Sequence, residues 1–269
     1  MRFSLVVTRA LGLGPLAEVA NAKHRGDLSL IAHTGESLGH EIKYRNTTLY
    51  VSKPVEAGSE RGSQIPDIGV LYLTDVFGIE LPQNRLLSDS FARAGYVTVA
   101  PDLFNGHAST VDLNEPGFDY ASFAAEHGPN VTDPIIDNAI SYMREKLGVK
   151  TIAASGYCFG GRYAWRVLTK GRGVDLGFAA HPSMLTDEEV LDINGPASLA
   201  VAETDEFLTA EDAFKIESLL NQTGQPYNSR LFGGTMHGFA TRANVSDPLQ
   251  KFAKEEAFLQ AVRFFDVWA

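Results

Sequence analysis

The chain has 269 residues, of which 44% are hydrophobic and 21% charged, and its formal net charge is −10. That length suits one α/β domain with a large core, and the ordinary composition excludes a disordered or repetitive protein. The acidic balance, with no Lys/Arg cluster interleaved with aromatics, excludes a protein that tracks phosphate backbones, so nucleic acid is not an expected partner.

Residues 1–22 carry a basic start at Arg2, an apolar stretch interrupted by Arg9, and small residues Ala20 and Ala22 around Asn21. This outline fits a cleaved secretory leader or a plain N-terminal extension over residues 1–26, and leaves cytoplasmic and secreted locations both open. Asn-x-Ser/Thr sequons at Asn46, Asn130, Asn221 and Asn244 would suit secretion. No stretch reaches the roughly 18 unbroken apolar residues of a membrane span, so no membrane partner is expected. Residues 27–269 read as a single domain.

Thr47–Pro54 alternates apolar and polar residues and stops at proline, the pattern of an edge or antiparallel strand. A Ser/Gly-rich loop over 56–67 follows, and then Ile68–Thr74, an apolar run of strand length. Residues 81–95 repeat apolar positions at helical spacing and end at Gly95, and Tyr96–Asp102 is a strand again. Strand, helix, strand at this spacing is a parallel crossover unit. A loosely patterned insert, 103–130, precedes a helix expected over 132–147, capped by Thr132 and Asp133 ahead of Pro134 and stopped at Gly148. Strands are expected at 150–156, 175–181, 197–203 and 227–233, with helices at 161–171, 209–224 and 248–269. Strands apolar throughout are buried on both faces, so these seven or eight strands should form a mostly parallel sheet with helices on each side. Trp165, Trp268 and the phenylalanines of the last helix read as core.

In such a sheet, reactive groups belong on loops after the carboxyl ends of strands. The one cysteine, Cys158, lies there, within the run Ser155–Gly161 that reads SGYCFGG. A single cysteine forms no internal disulfide and no multi-cysteine metal site. Gly156-x-Cys158-x-Gly160 is the nucleophile-elbow pattern: an abrupt strand-to-helix turn strains its central residue and demands small neighbours. The start of the following helix favours a thiolate. Alone, the short motif is common, and a lone cysteine is more often an inert core residue. A nucleophile also needs a base and a group to orient it. Asp205 follows the strand at 197–203, with Glu203 and Glu206 as rivals, and His237 follows the next strand, in the hydrolase order nucleophile, acid, histidine. His107, His127 and His181 read as structural or surface residues, although His181 also follows a strand and could line the pocket.

GYCFGG, together with DVFG (Asp75–Gly78), GYVTVAPDLF (Gly95–Phe104) and HGFATR (His237–Arg242), resembles the dienelactone hydrolase family of α/β-hydrolases, in particular its fungal members, from about Gly35 to the C-terminus. The resemblance implies an α/β-hydrolase fold and a Cys158–His237–Asp205 triad that cleaves lactones or esters without a cofactor. It also implies an oxyanion hole from the N–H groups of Phe159 and Val76. Asp75 stands where bacterial members carry a glutamate that takes the cysteine's proton, and Gly106 replaces one of their two carboxylate-gripping arginines. Arg242 is a displaced match for the other. These departures point to a substrate less anionic than dienelactone. Phe77, Phe104, Tyr157 and His181 are further candidates for lining the site or tuning the cysteine. The insert, with Phe104, Phe118, Tyr120 and Phe123, would roof it. A thioesterase or C–C bond hydrolase acting on a polyketide-like or aromatic metabolite is an alternative, as is a non-catalytic thiol sensor, which would not require Asp205 and His237. Both a monomer and a homodimer remain open.

Overall fold

In the computed structural model, which describes residues 31–54, 67–111 and 118–269, eight strands form a single sheet. In chain order the elements are β1 (His40–Tyr44), β2 (Thr47–Ser52), β3 (Ile68–Leu73), α1 (Pro82–Arg93), β4 (Val97–Pro101), α2 (Tyr120–Glu126), α3 (Pro129–Glu145), β5 (Thr151–Tyr157) and α4 (Phe159–Arg166). They continue with β6 (Leu176–Ala180), α5 (Asp187–Leu191), β7 (Ala197–Thr204), α6 (Ala210–Thr223), β8 (Tyr227–Met236), α7 (Phe239–Arg242) and α8 (Pro248–Trp268). The strand order across the sheet is β1-β2-β4-β3-β5-β6-β7-β8. β1 and β2 pair antiparallel and β2 joins β4 antiparallel; every later pairing is parallel. This is the architecture expected for an α/β-hydrolase. The leader-like residues 1–22 and most of the loop at 56–67 lie outside the described residues.

Side-chain alternation along the central strands builds two cores, one on each face of the sheet. Leu71 and Leu73 face one, with Ile136 of α3, Trp165 of α4 and Ile216 of α6. Val70 and Tyr72 face the other, with Leu87 and Phe91 of α1 and Phe258 and Phe265 of α8. Because both faces are covered, the central strands read as unbroken apolar runs.

The register sets the site. Leu73 pairs with Gly156, Tyr157 with Ala180, and Thr204 with Met236. The residues that follow these pairs, Thr74, Cys158, His181, Asp205 and His237, therefore leave the sheet along one edge, at the carboxyl ends of the strands.

β2 is antiparallel, one of the two alternatives expected, and β1 forms the sheet edge beside it. Several local expectations are corrected. α3 begins at Pro129 after Gly128 and carries Pro134 inside it. Thr132 and Asp133 do not cap it, because both side chains are used elsewhere: Thr132 Oγ1 donates to the His127 carbonyl at 2.7 Å, and Asp133 is ion-paired with Arg166 at 2.9 Å. The helix after Cys158 stops at Arg166 rather than Gly171. Trp165 is core, but Trp268 and Phe252 are exposed. The four sequon asparagines are all exposed.

Candidate active site

At the end of β5 the chain reverses directly into α4, and Cys158 takes φ 53° and ψ −116° to do so. Non-glycine residues seldom adopt positive φ, and such strain persists only where the surroundings enforce it. Here the enforcement is close packing. A Cβ on Gly156 would lie 2.1 Å from the Gly160 carbonyl oxygen, and one on Gly160 would lie 2.2 Å from that of Leu73. The Gly160 N–H donates to the Thr74 carbonyl at 3.0 Å and the Cys158 N–H to that of Ala180 at 3.1 Å, locking the turn to both flanking strands. Cys158 is fully buried. Among the described residues, neither Val76 nor Phe159 spends its N–H on a hydrogen bond outside its own element.

Asp205 and His237 follow a paired position on adjacent strands, and their side chains meet. His237 Nδ1 lies 2.8 Å and 2.9 Å from the two Asp205 oxygens. Asp205 Oδ1 also accepts from the N–H groups of Phe207 at 2.8 Å and Leu208 at 3.2 Å, which fixes the carboxylate. The rivals are placed elsewhere: Glu203 accepts from the Gly234 N–H at 2.7 Å, and Glu206 is exposed. With Nδ1 occupied, Nε2 makes no hydrogen bond of ordinary geometry among the described residues. Burial alone would lower the His237 pKa, but the neighbouring Cys158 sulfur and the Asp205 carboxylate outweigh it and push the value up to about 10. An imidazolium stabilised from both sides is the partner a thiolate needs.

Asp75 is fully buried beside this group and does not hydrogen-bond to Cys158. Its Oδ1 accepts from Asn84 Nδ2 at 2.8 Å and the Phe77 N–H at 3.2 Å, and its Oδ2 is ion-paired with Arg242 Nε at 3.2 Å. Burial raises its pKa, with Arg242 and the two donors opposing. The Arg242 guanidinium lies 4.8 Å over the Phe77 ring and against Gly238, whose φ of +89° and lack of Cβ make room for it. His181 is fully buried edge-on to His237, with ring centroids 4.9 Å apart, and among the described residues neither of its nitrogens has a hydrogen-bond partner. Tyr157 faces the opposite core, with its ring against Tyr72 and Phe178.

The insert supplies a roof. Phe104 stacks on Phe123, His127 and Phe159, and Phe118 lies against Phe123 and Tyr120. Two residues at the site, Phe207 and Ser183, escaped sequence reasoning. Phe207, two residues past Asp205, covers His237 edge-on at 4.8 Å and meets Tyr120 at 5.1 Å. Ser183 Oγ lies 3.9 Å from Cys158 Sγ, and the Tyr120 hydroxyl bonds to that same oxygen. Ser183 follows a strand by a few residues, as His181 does, and that position was the only signal that could have marked it. Among the described residues no group of three or more His, Cys, Asp or Glu is placed to hold a metal ion, and no helix is long and apolar enough to cross a membrane.

Comparison with known proteins agrees with this fold. The profile of the dienelactone hydrolase family matches residues 56–268. A protein described as hydrolase pyvD, from Aspergillus violaceofuscus, is 36% identical over 234 residues, spanning 87% of this chain and 92% of its own. Dienlactone hydrolase 1 of Gibberella moniliformis is 30% identical over 244 residues, 88% of this chain and 90% of its own. Among solved structures, a putative dienelactone hydrolase from Klebsiella pneumoniae superposes with a TM-score of 0.65 at 17% identity, covering 85% of this chain and all of that one, a likeness of fold.

Proposed function

The chain belongs to the dienelactone hydrolase family and is a hydrolase acting on ester bonds, and from that premise we propose that it opens lactones or small carboxylic esters through a Cys158–His237–Asp205 triad, with no cofactor. The observation that carries this reading is the bidentate Asp205 contact on His237 Nδ1. It leaves Nε2 for the sulfur of a cysteine held in a strained turn.

The Cys158 thiolate attacks the carbonyl carbon, forming the C–S bond while the π electrons move to oxygen. The N–H groups of Val76 and Phe159 receive that oxyanion, each such donor being worth about 3–4 kcal/mol at the transition state. Collapse expels the alkoxide, which takes the proton from His237 Nε2 and leaves a thioester. Nε2 then removes a proton from water as the water attacks the thioester, and the thiolate departs with its electron pair. Asp205 keeps the imidazole oriented through both steps.

The substrate is of low charge in this reading, because the cationic group beside the site, Arg242, is already ion-paired with the buried Asp75. The test is hydrolysis of a panel of neutral esters, enol-lactones and saturated lactones by the wild type beside Cys158→Ala. Turnover by the wild type alone is expected, and equal turnover by both proteins would remove Cys158 as nucleophile.

A further inference from the structure

We propose that Ser183 and Tyr120 form a hydroxyl chain ending on the Cys158 sulfur that stabilises it as thiolate, with Ser183 a catalytic residue touching the reacting atom and Tyr120 a positioning residue behind it. The proposal rests on the reading of Cys158 as the nucleophile.

Ser183 is tied to the cysteine twice. Its N–H donates to the Cys158 carbonyl at 3.2 Å and its Oγ sits 3.9 Å from Sγ, within reach for a sulfur hydrogen bond. Ser183 is also buried, so this hydroxyl has no solvent to turn to. Its other contact is the Tyr120 hydroxyl, brought down from the roof by α2.

The direction of the chain follows from valence. A thiolate accepts hydrogen bonds and cannot donate, and a serine hydroxyl has one proton to give. Ser183 therefore donates to sulfur and accepts from Tyr120, whose own proton goes to Ser183. Such chains polarise each link in turn, and a donor bonded to an anion is about twice as strong as a neutral one. The far end holds its proton firmly: burial, and then the negative charge at Cys158, raise the Tyr120 phenol well above its ordinary range. The other titratable groups facing this pair are His237, with Asp205 behind it, and Tyr163 and Arg162 of α4. Arg162 is engaged by Glu189 at 2.9 Å.

Because the chain contains one cysteine, the mass gained by the intact protein with iodoacetamide reports Cys158 and no other thiol. The rate of that reaction is measured against pH for the wild type, Ser183→Ala, Ser183→Thr and Tyr120→Phe. Removing a charge-assisted donor should move the midpoint up by about one pH unit in Ser183→Ala. Threonine should return most of that shift, and Tyr120→Phe should move the midpoint the same way by less. Unshifted midpoints in Ser183→Ala and Tyr120→Phe overturn the proposal, as does a shift that threonine fails to reverse. A Tyr120→Phe variant that changes only KM makes this contact a roof fastening. If Ser183→Ala does not fold, the Tyr120→Phe midpoint decides alone. Hydrolysis surviving in Cys158→Ala would instead sink the nucleophile reading, so the two failures are separable.

Discussion

His181 is a full-sized polar ring whose two nitrogens find no hydrogen-bond partner among the described residues. Its side chain lies between His237 and Phe239, at centroid distances of 4.9 Å and 5.5 Å, on a backbone with φ 37°. Burial first, then the neighbouring His237 and Arg242, push its pKa well below the ordinary histidine value, so the folded protein holds it neutral. The unfolded chain binds a proton there at about pH 6.5 and the native state refuses it. Its contribution to stability is thus present above about pH 6.5 and is lost as pH falls below that value. Asparagine tolerates positive φ and does not titrate, so His181→Asn should show a shallower loss of urea-unfolding midpoint between pH 7 and pH 5 than the wild type. Parallel slopes in the two proteins would exclude His181 as this group. Nothing in the local sequence HPS marks position 181 as buried against the base; that contact arises only when β6 and β8 end at the same edge of the sheet.

Among the elements, strands covered on both faces and helices with one apolar stripe were legible, and the short polar edge strand β1 was not. β3, β5, β6 and β7 are apolar runs because helices cover both faces, and the order of the proposed triad residues could be read from the positions following the strands. β1 reads HEIKY, with no fully buried side chain; only Ile42 and Tyr44 rest on the core, a signal too short to stand out, and the strand is held by pairing with β2. The start of α3 was misplaced because Thr132 and Asp133, good capping residues by type, lie inside a helix that begins at Pro129, where Thr132 bonds back to the His127 carbonyl and Asp133 pairs with Arg166. The elbow is the opposite case, since its glycines are needed where they stand. In Gly160→Ala the new Cβ would meet backbone at Leu73 and Thr74, which cannot turn aside as a side chain could. A loss of about 3 kcal/mol is expected by urea unfolding. Hydrolysis should also disappear at temperatures where the variant remains folded, because the displaced turn carries the proposed nucleophile. Wild-type turnover in folded Gly160→Ala would mean that the close approach is not what sets the cysteine's position.

Across the whole molecule, the site and the bulk of the packing are separable by mutation. Phe258 of α8 is buried against Phe91 at 4.8 Å, in the core on the α1/α8 face of the sheet. Phe258→Ala should cost about 3–5 kcal/mol. Calorimetry should then show a melting temperature roughly 10 °C lower, while KM at 25 °C stays at the wild-type value. A changed KM would show that the α8 core also shapes the cleft. The register of the strand ends has a further consequence for heat inactivation. Cys158, Asp205 and His237 each hang from a different strand, and the sheet between them is shared by both cores. No fragment smaller than the stretch β5–β8 carries all three residues of the proposed triad, so melting within that stretch should leave no partial activity. Catalytic output is therefore a gauge of cooperativity: inactivation and global unfolding should trace one curve, each molecule either wholly competent or wholly silent.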